Sequence, residues 1–156
     1  MKHFVSSGLL VAPLLQACDP VQTIDITVVV PAETQAALDL DSAHWELVVE
    51  ADTFLSGGQI GVICEAGEEI RYEDSYSQIG CAEQGTATAW LAPVPLTSDT
   101  GEQPACGMSG SSILPDPVNA TPPDDAIVVS EDYFVEESGD CKASYTHDVV
   151  LTLTAS

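Results

Sequence analysis

Residues 23–30 read TIDITVVV. Ile24, Ile26, Val28 and Val30 fall on one side of an extended chain, and Thr23, Asp25 and Thr27 fall on the other. Successive side chains of a strand point to opposite faces, so this period of two predicts a strand with one buried face. The same alternation returns further along. His44 to Ala51 turns Trp45, Leu47, Val49 and Ala51 inward and His44, Glu46 and Glu50 outward. Thr146 to Ala155 turns Val149, Leu151, Leu153 and Ala155 inward.

Shorter apolar runs fill the interval. Gln59 to Cys64, Ile70 to Glu73, Gln78 to Ala82, Thr86 to Ala92, Ala126 to Val129 and Asp132 to Val135 all read as strands. Gly57-Gly58 and the EAGEE of residues 65–69 read as turns, and Pro31 to Leu38 suits a helical turn or two. About eight short strands without a useful helical stretch predict an all-β fold, an antiparallel β-sandwich. "Immunoglobulin-like" describes this architecture only, because the Cys…Trp…Cys spacing of a true immunoglobulin domain is not clear. A length of 156 residues suits one domain, and no repeat is visible. Residues 93–125 break the pattern. They hold seven of the ten prolines and read as one long loop, the first place to look for a binding surface.

The N-terminal residues carry a different signal. MKHFVSSGLLVAPLLQAC, residues 1–18, begins with Lys2 and continues with an apolar run from Phe4 to Leu15. Twelve helical residues span roughly 18 Å, short of the ~30 Å hydrocarbon core of a bilayer. A secretory signal fits better than a transmembrane helix. Leu15-Gln16-Ala17-Cys18 resembles the lipobox of bacterial lipoproteins, with Gln16 departing from the usual small or aliphatic second position. The resemblance covers residues 1–18 alone. It implies a diacylglyceryl thioether on Cys18, cleavage after Ala17, and in many bacteria acylation of the new amine, palmitate being a typical chain. The protein would then be exported and membrane-anchored, on the periplasmic face of the inner membrane, on the outer membrane or at the cell surface. Asp19 after the lipidated cysteine favours the inner membrane in enteric-type bacteria. The resulting organisation is a signal peptide over 1–17, a lipidated cysteine and tether over 18–22, and one domain over 23–156.

Cysteine counting agrees with this. Five cysteines leave one over in an exported chain. With Cys18 acylated, Cys64, Cys81, Cys106 and Cys141 form an even set that reads as two disulfides. Three connectivities are open. Cys64–Cys81 with Cys106–Cys141 is favoured, because the first pair would close across neighbouring strands. Spacings of 17, 25 and 35 residues lack the close pairs of a zinc site.

Charge removes some partners. Asp and Glu number 25, against Lys2, Arg71 and Lys142. Loss of Lys2 with the signal peptide leaves two cationic residues and a formal charge of −23. Nucleic-acid binding needs Lys and Arg to neutralise phosphates, so it is excluded, and phosphorylated ligands are disfavoured. Membrane lipid enters through acylated Cys18, while a protein or carbohydrate partner stays unnamed.

Chemistry is sparse. Ser109 in GMSGS, taken with His147 and an Asp, lacks the final glycine of G-x-S-x-G, so a hydrolase has little footing. Asp39, Asp41 and Glu50 mimic three calcium-loop positions, but His44 stands where that loop requires glycine. Glu65, Glu68 and Glu69 form one acidic cluster; Asp124, Asp125, Glu131 and Asp132 form another that could support an irregular calcium site. Trp45 reads as core and Trp90 as an outward ring available to a ligand such as a sugar. No catalytic residue, resident cofactor or metal ligand is assigned. The leading expectation is a non-enzymatic structural or adhesion domain of the bacterial envelope; the alternative is a calcium- or carbohydrate-binding module on the same scaffold, and an envelope hydrolase ranks below both.

Overall fold

A computed structural model describes residues 21–52, 56–79, 85–96, 105–108, 121–133 and 145–155. The opening stretch becomes β1 (Val21–Val30), the middle strand of a three-stranded sheet in the order β4-β1-β8. Its partners are β4 (Ile70–Ile79) and β8 (Tyr145–Thr152). The second sheet has five strands in the order β6-β3-β2-β5-β7. These are β6 (Gly107–Met108), β3 (Ser56–Ile63), β2 (Ala43–Ala51), β5 (Gly85–Pro95) and β7 (Ile127–Tyr133). The core between the sheets takes Ile24, Ile26, Val28 and Val30 from β1, Leu47, Val49 and Ala51 from β2, and Val149 and Leu151 from β8. Each is an inward residue of the period-two reading. Trp45 packs on this core from its edge, as expected.

A bulge corrects the phase of β3. Leu47 pairs with Gly61, whereas the next residue, Val48, pairs with Gln59, leaving Ile60 as the extra residue. Ile60 and Ile63 both join the core. Residues three apart point to opposite faces of a regular strand, so both can face inward only across such an irregularity.

α1 (Ala32–Ala37) connects the sheets and follows Pro31, a residue suited to the start of a helix. Its two buried polar side chains are both bonded. Gln35 donates to the carbonyls of Val30 and Glu68 and accepts from the Gly67 amide. Thr34 donates to the Leu153 carbonyl. These bonds tie the 65–69 turn and the end of β8 to the helix.

Several expectations need correction. β8 runs parallel to β1, so the sandwich is not wholly antiparallel. Gly57 and Gly58 lie inside β3 rather than at a turn, paired with Glu50 and Val49. The strands expected at 126–129 and 132–135 merge into the single strand β7, held along its length by β5, with residues 134–135 outside the described residues. The strand expected at 70–73 continues to Ile79 because all ten of its residues pair with β1. It absorbs the start of the strand expected at 78–82; the rest of that strand, with Cys81, lies outside the described residues. The loop expected from residue 93 starts later, since β5 reaches Pro95, and it contains β6.

The favoured disulfide pairing is also overturned. Cys64 bonds to Cys106, with Cα atoms 5.7 Å apart, so neither Cys64–Cys81 nor Cys106–Cys141 forms. The reason is β6. Val62 pairs with Gly107, which brings the residues just beyond the end of β3 beside Cys106. Cys18, Cys81, Cys141 and Lys142 lie outside the described residues. Among the described residues, no helix is long and apolar enough to cross a membrane.

Candidate functional site

The outer face of the five-stranded sheet carries the most suggestive group of side chains. Facing outward, β2 offers His44, Glu46, Val48 and Glu50. Across the β2–β5 ladder, Glu46 stands opposite Ala92, Val48 opposite Trp90, and Glu50 opposite Thr88. On the other flank, Glu46 stands opposite Val62. Val48, Trp90 and Ala92 form a small apolar cluster with Ala126, separate from the main core. Above it runs a groove of about 450 Å3, walled by Gln59, Pro93, Thr121 and Pro123 and flanked by Glu46 and Glu50.

Glu46 is the uncomfortable residue of this groove. Burial raises the pKa of its carboxyl above the ordinary value of a glutamate. Among the described residues it has neither a hydrogen-bond nor an ion-pair partner. A carboxylate taken partly out of water without compensation is costly, and such groups gather at functional sites. The groove therefore pairs an apolar floor with an unneutralised negative charge, an arrangement that receives a cation carried on an apolar stem.

Trp90 is on the outward face, as read from the sequence, but it is only 3% exposed. It is the floor of the groove rather than an open platform. The sequence marked Trp90 and the outward position of Glu46. It did not mark them as neighbours, because that follows from which strands pair and in what register.

The other candidates sort as follows. His147 sits across from Ile24 and 6.3 Å from the Tyr133 ring, between centroids. Asp148 is the next residue of the same strand and points to the opposite face, so it does not orient His147. Ser109 lies outside the described residues. Asp39 and Asp41 precede β2 while Glu50 is near its far end, so these acids do not meet. Glu65, Glu68 and Glu69 are exposed in the β3–β4 connection. Asp124 and Asp125 form a turn before β7, whereas Glu131 and Asp132 lie near its other end. Asp132 accepts a hydrogen bond from Thr86.

In the three-stranded sheet, Asp25 on the outer face and Asp74, opposite Ile26 on the inner face, are already engaged. Ser75 donates to Asp25 through its hydroxyl and to Asp74 through its amide, and Tyr72 donates to Asp74. Arg71 pairs with Glu73 at 2.8 Å, both side chains being more than half exposed, which contributes little stability. Among the described residues, one group of three or more potential metal donors converges: His44, Cys64 and Cys106, with donor atoms within 4.8 Å of one another. Closed as a disulfide, the two sulfurs are not thiolate ligands.

Comparison with protein-family models, curated proteins and solved structures finds no match. The functional reading therefore rests on the geometry and on the sequence signals.

Proposed function

We propose that this protein is a lipid-anchored, non-enzymatic binding or adhesion domain of the bacterial envelope, and that the Glu46 groove is its contact surface for a cationic group. The observation that carries the contact surface is the partly buried, unpartnered Glu46 beside the Val48–Trp90–Ala92 floor. A lysine- or arginine-bearing segment satisfies both halves of the groove. Its stem covers the apolar floor and its charge neutralises the carboxylate. Carbohydrate recognition loses support, because a Trp90 ring that is 3% exposed has little face to stack on. The immunoglobulin-like description stays part of this proposal, supported only by the face-packed sheets.

The anchor rests on LQAC at residues 15–18 and on the even number of cysteines that remain. β1 begins at Val21, three residues after Cys18. At up to ~3.6 Å per residue, an acyl chain on Cys18 holds the Val21 end of β1 within about 11 Å of the bilayer. The opposite end, with Val30, Ile70 and α1, then faces away from it.

Two measurements test the two halves separately. Intact mass of the membrane-extracted protein should begin at Cys18 and include acyl chains, and Cys18→Ser should release the protein into the soluble fraction. An unmodified Cys18 would refute the anchor and leave the groove standing. For the groove, tetralysine is titrated against wild type, Glu46→Gln and Glu69→Gln at physiological salt. The last two lose the same charge. Weaker binding in Glu46→Gln alone supports the reading; equal loss in both variants reduces the interaction to net charge.

A further inference from the structure

At the end of the sandwich that carries α1, a disulfide and a histidine meet. His44 stands opposite Cys64 when the β2–β3 register is continued by one residue beyond the Trp45–Ile63 pair. Cys64 is bonded to Cys106, which is exposed. A ring nitrogen of His44 and both sulfurs lie within 4.8 Å of one another. The His44 Nδ1 is buried and has no hydrogen-bond partner among the described residues. Beside the trio opens a cavity of about 530 Å3, lined in part by Glu65, Ile70 and Met108. A histidine nitrogen close to two cysteine sulfurs is the donor set of a zinc site once those sulfurs are thiolates.

We propose that Cys64, Cys106 and His44 form a redox-gated site for a thiophilic divalent cation such as zinc. In the oxidised protein the site is shut, because disulfide sulfurs are not thiolates. A dithiol reductant opens it. One thiolate of the reductant attacks the exposed Cys106 sulfur, and Cys64 leaves as a thiolate. The second thiolate of the reductant then closes its own disulfide and expels Cys106. Two electrons pass from the dithiol to the protein, and the Cys64–Cys106 bond is replaced by the reductant's S–S bond. Zinc then takes the place of the two thiol protons, which go to solvent.

The distances permit this. Thiolate ligands about 2.3 Å from one tetrahedral ion lie roughly 3.8 Å apart, on the scale of the 4.8 Å within which the three donors lie. The strand pair β3–β6 keeps both cysteines near each other after reduction, through Val62–Gly107 and Gly61–Met108. The site therefore needs little reorganisation to form.

The test uses the full chain, oxidised and dithiol-reduced, titrated with cobalt(II) as a spectroscopic stand-in for zinc. One cobalt per reduced chain is expected, with a thiolate-to-metal absorption band and the intense visible bands of tetrahedral coordination. The oxidised chain should give neither band. His44→Ala retains every thiol, and its affinity should fall about tenfold or more, on the scale that follows loss of metal-site contacts. Cys106→Ser should lose the site. Cobalt binding of equal strength in His44→Ala overturns the proposal, since it assigns the metal to thiols elsewhere. A reduced chain whose tryptophan fluorescence reports unfolding, and which cobalt does not restore, overturns it as well.

Discussion

At the scale of single residues, Glu46 and Gln35 show opposite ways of burying a polar group. Gln35 is 1% exposed and has three bonds to backbone groups, so its burial is compensated. Glu46 is compensated by nothing among the described residues. In the unfolded chain Glu46 titrates near 4.5, and burial raises this value in the fold. Folding thus favours the protonated form. The favourable contribution is complete below the unfolded value and is lost as pH rises through the folded one. Above that, ionised Glu46 destabilises the protein. Glu46→Gln should therefore melt higher than wild type at pH 7, and the gap should close as pH falls toward 4. A variant that melts lower than wild type at pH 7 would contradict the assignment. Gln35 was legible only as a polar residue in a short helical stretch. Its partners are Val30, just before α1 in the chain, and Gly67 and Glu68, which the β3–β4 connection brings to the helix.

At the scale of elements, the two-residue strand β6 decides more than its length suggests. It sits so close to β3 that a Cβ on Gly61 would lie 2.5 Å from the Gly107 oxygen and 2.8 Å from the Met108 Cα. Both are backbone atoms and cannot swing away. Gly61→Ala should therefore push β6 off β3, at a cost of about 1–3 kcal/mol. Thermal or chemical unfolding measures this loss, and unchanged stability would mean that β6 does not rest on β3 in solution. Gly107, at φ +113°, holds a backbone conformation that few other residues adopt, which reinforces the same contact. None of this was visible in GGQIGVI or ACGM as separate strings. Glycine in a strand signals either a turn or a close approach, and only the neighbouring chain shows which.

At the scale of the molecule, charge dominates. A formal charge of −22 over the full sequence repels itself. The screening length falls from about 30 Å at 0.01 M salt to about 10 Å at 0.1 M. The melting temperature of wild type should rise over that interval at pH 7. A flat response would mean that the carboxylates are spread too widely to strain the fold.

The sequence by itself determined the strands whose alternation is strict, β1, β2 and the inward residues of β8, because period two leaves one face to bury and the chain carries that pattern locally. It also determined the charge and the cysteine count, which are sums independent of fold. Tertiary structure alone decided the rest. It set β8 parallel to β1, joined two expected strands into β7, placed the bulge at Ile60 and chose Cys106 as the partner of Cys64. Each of these depends on which strands lie side by side and in what register, and a strand's own sequence says which face it hides but not against whom.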